Sequence, residues 1–415
     1  MPKSLSQYSR RDFFKITGAI GAGTLLTSMG KIAKATEGSE SDNALAKLVP
    51  TRPYGNTGVH VGILGLGGSQ NLSSKQILLQ QAVKMGVTYW DNSHSYERGK
   101  SEEAMGAYFT TYPEDRNKVF LVTKSHSSNP EGLTKDLDGS LNRLKTDYVD
   151  MYFLHGVANA SYVITKDILD WVNKAKASGK IRFFGFSTHM NMAKCMMDAA
   201  NLGGIDGIMT AFNYRIMQTD DMKRAVDACA KAKIGLTAMK TIAPRMDLQS
   251  IGTDKEKEIA LKLIEELKQK GYTLEQAKLK TVWENPNIAT ICSEMTNLTI
   301  LEANVASAIN TAELSFQDKR LLHQYAQETN MGYCAGCAGI CESIVNAPIC
   351  DIMRYLMYAN GYGNYERAIR HFYEIPKSIR QQLAHIDYSV AEKVCPQKMP
   401  IGKLMTEAVR IFSFV

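Results

Sequence analysis

The chain has 415 residues, of which 44% are hydrophobic and 22% are charged, the balance of a soluble globular protein. Its formal net charge is +7, but residues 1–35 hold six basic residues against one acidic residue, so the remainder carries only about +2. That remainder excludes the basic surface of a nucleic-acid-binding protein. Its length, about 380 residues, suits a barrel of roughly 250 residues plus an appendage.

Residues 1–35 are predicted to be an export signal. A basic region ending at Lys15 precedes an apolar region from Ile16 to about Gly30 and the small-residue sequence at 33–35. The apolar region is too short for a membrane span, which needs about 20 residues. The sequence SRRDFFK (residues 9–15) resembles the twin-arginine consensus, which implies folded export by the twin-arginine translocase and a periplasmic location. An ordinary unfolded-export signal and an uncleaved anchor are the alternatives.

A linker rich in Glu, Ser and Asp follows at 36–48, and then eight apolar runs alternate with helix-length segments. The runs are 61–66, 87–91, 119–124, 148–155, 181–187, 207–213, 234–240 and 288–293. Nearly continuous apolar runs are typical of parallel strands buried on both faces. Eight strand–helix units predict a (β/α)8 TIM barrel over 49–315. The alternative, a doubly wound open sheet, lacks its glycine-rich fingerprint, to which GLGGSQ (65–70) is a weak match.

Polar residues are predicted at the carboxyl ends of three consecutive strands, where a barrel of this kind builds its active site. They are Asp91, Lys124 and His155, and Tyr96 follows in the loop after Asp91. A nearby ammonium lowers the pKa of a phenol toward the working range of an acid. We therefore expect Lys124 to lower the pKa of Tyr96, Asp91 to hold Lys124, and His155 to orient a substrate oxygen. This set favours carbonyl reduction.

Several landmarks make the chain similar to the aldo/keto reductase family over about residues 50–310. They are RPYGNTGVHVGILGLGG, YWDNSHSYERGKSEEAMG, VFLVTK, DMYFLHG and IRFFGFSTH. The resemblance implies a catalytic tetrad of Asp91, Tyr96, Lys124 and His155, a small-molecule carbonyl or alcohol substrate, and NADP(H) lying across the barrel mouth. It also implies a set of cofactor-binding residues, namely Gly68, Ser69, Ser187, Asn213, Met239, Lys240, Ser293, Asn297, Glu302 and Asn304.

The sequence departs from the family pattern at three cofactor positions. Met209 stands where the family has Gln, Met239 lies near the position of a stacking aromatic, and Glu294 replaces a glycine beside the 2′-phosphate site. The choice between NADP and NAD therefore stays open. Lys240 either supplies the missing positive charge or is a lysine of the rim.

The segment 316–415 is predicted to be a small, mainly helical domain rich in cysteine. The sequence YCAGCAGICES places Cys334, Cys337 and Cys341 within eight residues, and Cys395 precedes a proline as in ferredoxin sites. The segment resembles the ferredoxin-like extension of some aldo/keto reductases, which implies a [4Fe-4S] cluster on these four residues, with Cys350 as a rival fourth ligand. Zinc on four thiolates and disulfides are the alternatives.

Two functions are consistent with these patterns. The first is an exported NAD(P)-dependent oxidoreductase in which the cluster stabilises the fold or exchanges single electrons with a partner. The second is a non-catalytic nicotinamide-binding redox sensor or regulatory protein, favoured by the departures at positions 209, 239 and 294.

Overall fold

The computed structural model describes residues 48–244 and 254–413, so the predicted signal and most of the linker lie outside the described residues. The strands are β1 Thr51–Pro53, β2 His60–Gly62, β3 Leu64–Gly67, β4 Tyr89–Asp91, β5 Phe120–Ser125, β6 Val149–Leu154, β7 Ile181–Thr188, β8 Gly207–Ala211, β9 Gly235–Met239 and β10 Ile288–Ser293. No helix within the described ranges is long and apolar enough to cross a membrane.

The α-helices lie between and after these strands. They are α1 Gln76–Lys84, α2 Lys100–Thr111, α3 Pro130–Leu144, α4 Ala160–Val163, α5 Lys166–Ala177, α6 Met192–Leu202, α7 Asp220–Lys231, α8 Asp254–Gln269, α9 Leu274–Trp283, α10 Leu298–Ile309, α11 Phe316–Glu328, α12 Ala338–Cys341, α13 Ile349–Leu356, α14 Tyr365–Glu374, α15 Lys377–Arg380, α16 Ser389–Val394 and α17 Ile401–Phe412. A turn of π-helix, Met357–Gly361, extends α13.

Strands β3 to β10 form a closed parallel barrel in chain order, with β10 paired to β3. Five of them are buried at every residue (β3, β4, β5, β6 and β8). Helices cover the outer face of such a strand and packed side chains fill the barrel interior, so both faces carry mainly apolar side chains. The predicted (β/α)8 fold is confirmed.

The first predicted strand, 61–66, is wrong in one respect, because it spans two elements. Residues 60–62 pair antiparallel with β1, and 64–67 form the first barrel strand. The hairpin closes the amino-terminal end of the barrel through the buried ring of Tyr54, whose hydroxyl lies 3.0 Å from Thr237 Oγ1. The apolar run continues from β2 into β3 because the hairpin is also buried at residues 61 and 62.

Helix α11 opens the C-terminal extension, defined here as residues 316–413. Its cap is reciprocal: the Asp318 amide donates to Ser315 Oγ at 3.2 Å, and the Ser315 amide donates to Asp318 Oδ2 at 2.8 Å. The predicted domain boundary falls at this cap, although the division into domains stays a prediction.

The extension packs on the carboxyl-terminal face of the barrel. The Asn191 amide, after β7, donates to Gly336 O at 2.7 Å, and Arg370 of α14 pairs with Glu97, after β4, at 3.5 Å. Gly336 has a φ of +74°, and a side chain there would come within 2.4 Å of His189 O. Only glycine fits this close approach, so the cysteine-bearing loop lies directly against the barrel mouth.

Candidate active site at the barrel mouth

A buried ion pair lies at the ends of β4 and β5. Lys124 Nζ donates to Asp91 Oδ1 at 2.5 Å and to Asn92 O at 2.6 Å, and both side chains are at most 4% exposed. Burial lowers the pKa of Lys124, but Asp91 and Tyr96 more than offset this, so its pKa is raised overall. The ammonium therefore stays charged and fixed at the mouth.

Tyr96 lies above this pair on a turn in which Glu97 and Arg98 both have positive φ. Lys124 Nζ lies 3.4 Å from the Tyr96 hydroxyl. Burial raises the pKa of this phenol more than Lys124 lowers it, to about 12. The expected net lowering of its pKa is therefore wrong, because loss of hydration outweighs the ammonium. At neutral pH the phenol keeps the proton that a general acid must donate.

His155 faces Tyr96 across the mouth, with ring centroids 5.6 Å apart. Its Nδ1 lies 3.1 Å from Ser93 Oγ, and the His126 ring stacks on it at 4.2 Å. Burial, followed by Lys124 and His126, holds the pKa of His155 well below its usual range. The Ser93 hydroxyl can donate to Nδ1, and in that arrangement the neutral ring carries its proton on Nε2.

The four predicted residues thus meet at one place, although they come from three strands and a loop. The arrangement offers a neutral phenol, a fixed ammonium and a neutral imidazole to an oxygen atom placed between Tyr96 and His155. A polarised carbonyl oxygen needs donors of this kind as negative charge develops on it.

A profile of the aldo/keto reductase family matches residues 59–323, more than half of the chain. The chain belongs to the aldo/keto reductase family. The match ends within α11, so most of the extension lies beyond it.

Named relatives agree with this membership, and a solved structure shares the fold. Aldo-keto reductase yakc of Schizosaccharomyces pombe is 31% identical over 157 residues, covering 34% of this chain and 45% of yakc, so the chain spans about half of that relative. L-galactose dehydrogenase of Arabidopsis thaliana is 22% identical over 296 residues, covering 66% of this chain and 92% of that enzyme. The holo form of AKR11C1 from Bacillus halodurans, at 19% identity, shares the fold with a TM-score of 0.56, covering 67% of this chain and 96% of its own.

Other residues that are expected to bind the cofactor have hydrogen-bond partners within the protein. Ser187, at the end of β7, accepts a hydrogen bond from the Gly156 amide at 3.1 Å. The Asn213 amide donates to Lys240 O at 3.2 Å and to the Tyr333 hydroxyl of the extension at 2.9 Å. Asn213 therefore joins barrel and extension, and its cofactor role stays a prediction.

Gly68 and Ser69 follow β3. The Gly68 amide donates to Asp91 O at 2.7 Å, and a side chain at position 68 would lie 2.6 Å from the same atom. Close packing beside Asp91 thus requires this glycine. Ser69 is half-buried next to it.

The residues after β10 form a polar edge. Asn304 Nδ2 donates to Ser293 Oγ at 3.1 Å, Asn297 Oδ1 caps α10 by accepting from the Ile300 amide at 2.9 Å, and Glu302 is exposed. Glu294 pairs at 3.6 Å with Arg367, a residue of the extension. The carboxylate that departs from the family pattern is therefore held by a cation from outside the family match.

Met209 lies in the middle of β8, and Met239 is the last residue of β9. Met209 is buried inside the barrel, and the half-buried Met239 packs in the same cluster. Two thioether side chains thus occupy these positions, and they offer neither a hydrogen-bonding amide nor an aromatic ring.

Three features of the site were missed by sequence reasoning. Ser93 and His126 lie inside or next to the recognised landmarks, but only the fold shows that they contact His155. Cys292 is a half-buried thiol beside Asp91. The third feature is the set of basic residues that the extension places over the barrel mouth. No sequence pattern predicted that they would lie there.

The predicted metal-ligating cysteines gather within the extension. Cys334 Sγ lies 3.9 Å from Cys350 Sγ, and Cys341 also contacts Cys350. Cys337 interacts electrostatically with Cys334, Cys341 and Cys395. The structure thus brings the rival Cys350 against two of the predicted ligands. All five are free thiols, and over residues 48–244 and 254–413 no group of three or more His, Cys, Asp or Glu is arranged to hold a metal ion.

Proposed function

We propose that this protein is an NAD(P)-dependent reductase of small carbonyl compounds, or a dehydrogenase of the corresponding alcohols. The observation that carries the proposal is the contact of one buried ammonium, Lys124, with both Asp91 and Tyr96 at 2.5 and 3.4 Å, opposite a neutral His155. Reduced nicotinamide supplies the hydride when it is bound.

Each of the four side chains has one task in this reaction. His155 Nε2–H orients the carbonyl oxygen, and the Tyr96 hydroxyl donates a proton to that oxygen as the carbon accepts the hydride pair. Lys124 stabilises the resulting phenolate. Asp91 keeps Lys124 charged and in position. In alcohol oxidation the same proton returns to Tyr96.

The mouth suits a dinucleotide only in part. Ser187 and Ser293 offer hydroxyls at the strand ends, and Lys240 offers a cation at the end of β9. The Asn213 amide is already engaged by Tyr333, and Glu294 disfavours a 2′-phosphate at its own position. The yeast relative is named for NADP(+), and for this chain both NADP and NAD stay in the proposal.

A panel of aldehydes, ketones and sugars, assayed with NADPH and NADH at 340 nm, tests the activity. We expect turnover of at least one carbonyl class. Cofactor that binds without any turnover across the panel would reject the enzyme and leave the nicotinamide-binding sensor as the function.

We further propose that the extension binds one [4Fe-4S] cluster through Cys334, Cys337 and Cys341, with Cys395 or Cys350 as the fourth ligand. The chemistry of the donor set supports this, since closely spaced thiolates select iron–sulfur clusters and zinc. An electron-transfer partner belongs to the same proposal.

The metal is expected to be visible in protein purified without oxygen. A cluster gives about four iron atoms per chain and a broad absorption near 400 nm that dithionite bleaches, and Cys334→Ser lowers both. Cys229→Ser, which replaces a buried barrel thiol, is the matched control and leaves them unchanged. Colourless protein that holds one zinc ion per chain would show that the site binds zinc and not the cluster. Metal-free protein would reject both proposals.

Export by the twin-arginine route is proposed from residues 9–15 alone. Replacing Arg10 and Arg11 together by lysine is expected to keep the protein in the cytoplasmic fraction of cells that carry the translocase. Unchanged delivery to the periplasm would reject this route.

A further inference from the structure

Three basic side chains surround one buried phenol at the junction between barrel and extension. The Arg367 guanidinium carbon lies 4.4 Å from the centre of the Tyr358 ring, and Lys240 Nζ lies 5.7 Å from it. Arg354, four residues before Tyr358, is on the same helical segment. Lys240 comes from the end of β9, whereas Arg354 and Arg367 belong to the extension, so neither part of the chain forms this cluster alone.

The positive charge in this cluster is only partly balanced. Asp351 pairs with Arg354 at 2.7 Å, and Glu294 pairs with Arg367 at 3.6 Å. Lys240 instead donates to Nδ1 of His189 at 2.7 Å. Burial, with Lys240 as a further cause, holds the pKa of His189 well below its usual range, so this partner carries no charge.

The phenol shows the effect of this imbalance. Burial raises the pKa of Tyr358, but Lys240, Arg367 and Arg354 more than offset it and bring the pKa down to about 8. Burial also lowers the pKa of Lys240 to about 8. A buried site that favours phenolate and disfavours a further cation has a net positive potential.

A cavity of about 40 Å³ lies beside this cluster. Lys240 and Arg354 line it, together with His189, Cys334 and Cys350. The volume exceeds what one water molecule requires. Arg354 also acts on His155, and Arg367 acts on Tyr96. The positive charge of the cluster therefore acts on two residues of the reacting centre.

We propose that Lys240, Arg354 and Arg367 form an oxyanion-binding site for a carboxylate or phosphate group. The group belongs either to the substrate, which would then be an anionic carbonyl compound, or to the diphosphate of the cofactor. Guanidinium groups match both oxyanions through paired hydrogen bonds. The assignment of the anion to a substrate or cofactor rests on the proposed reductase function, whereas the binding site itself does not.

Two carbonyl compounds of equal chain length, one with a carboxylate and one without, test whether the bound oxyanion belongs to the substrate. The wild-type protein is expected to reduce 4-oxobutanoate with a kcat/KM about 10- to 100-fold above that for butanal, and Arg354→Gln to remove most of this preference. Arg354→Lys, which keeps the charge, is expected to retain part of it. Arg410→Gln, at an exposed position of α17, controls for the change in net charge.

Equilibrium binding gives a readout that needs no turnover. Titration calorimetry of the full chain with inorganic diphosphate is expected to show binding that weakens about tenfold or more in Arg354→Gln and in Lys240→Met. If these variants weaken NADPH binding equally and leave the 4-oxobutanoate preference unchanged, the anion is the cofactor diphosphate.

Failure of this inference is distinct from failure of the reductase. A protein that binds diphosphate but reduces nothing retains the oxyanion site and loses the proposed function. If wild type binds no diphosphate and treats 4-oxobutanoate like butanal, the oxyanion site is rejected. The oxyanion site is also rejected if Arg354→Gln and Lys240→Met lose metal but change neither diphosphate binding nor the preference for 4-oxobutanoate. In that case the cations would only balance the charge of the thiolates.

Discussion

Tyr96→Phe is expected to lower kcat for carbonyl reduction by about 10²- to 10⁴-fold, the usual contribution of a positioned proton donor. The phenol is the group whose proton stays bound at neutral pH, since burial raises its pKa to about 12, and its hydroxyl lies 3.4 Å from Lys124. The substitution removes one oxygen atom and leaves the ring that faces His155. Steady-state rates and a fluorescence titration of NADPH measure the two consequences separately.

Cofactor affinity is expected to stay within about twofold of wild type in this variant, because no cofactor contact is assigned to the phenol. Tyr162→Phe is the matched control, since Tyr162 is 80% exposed on α4, and it should leave kcat unchanged. Equal turnover by Tyr96→Phe and wild type would show that another group donates the proton.

Lys124→Met is expected to abolish turnover and to lower the free energy of unfolding by about 3–5 kcal/mol. Lys124 and Asp91 are 1% and 4% exposed, so removal of the ammonium leaves a carboxylate buried without its cation. The carboxylate must then bind a proton or admit water, and both cost free energy. Chemical denaturation measures the loss.

The double variant Asp91→Asn, Lys124→Met separates charge from packing. It removes both charges, so its free energy of unfolding should recover by about 1 kcal/mol or more relative to Lys124→Met, while turnover stays absent. A single variant that is within about 1 kcal/mol of wild type, or a double variant that is less stable than the single, would show that the pair is not the buried contact described here.

The barrel was predictable because its signals are local. Each strand buried on both faces leaves a continuous apolar run, as at 149–154, and each helix between two strands has its own periodicity. The one misjudged strand, 61–66, shows the limit of that signal. Burial alone does not tell whether residues pair with a hairpin partner or with the barrel, so residues 61 and 62 were assigned to the wrong sheet.

The meeting of the four active-site residues was predictable for a related reason. Carboxyl ends of parallel strands lie at the same edge of a sheet, so Asp91, Lys124 and His155 had to approach one another once the barrel was accepted. The net pKa of Tyr96 was not predictable in the same way, because it depends on how much water the surrounding side chains exclude. That quantity is set by packing from the whole mouth, including the extension.

The sequence by itself determined the eight-unit barrel, the family landmarks and the concentration of five cysteines after residue 330. Only the tertiary structure decided where the extension lies. It places Arg354, Tyr358 and Arg367 over the mouth, against Lys240, and pairs Cys350 with Cys334. Local patterns record how a segment folds and which face it buries, whereas the choice of packing partner depends on contacts across the fold. Lys240, for example, is more than one hundred positions from Arg354, Tyr358 and Arg367.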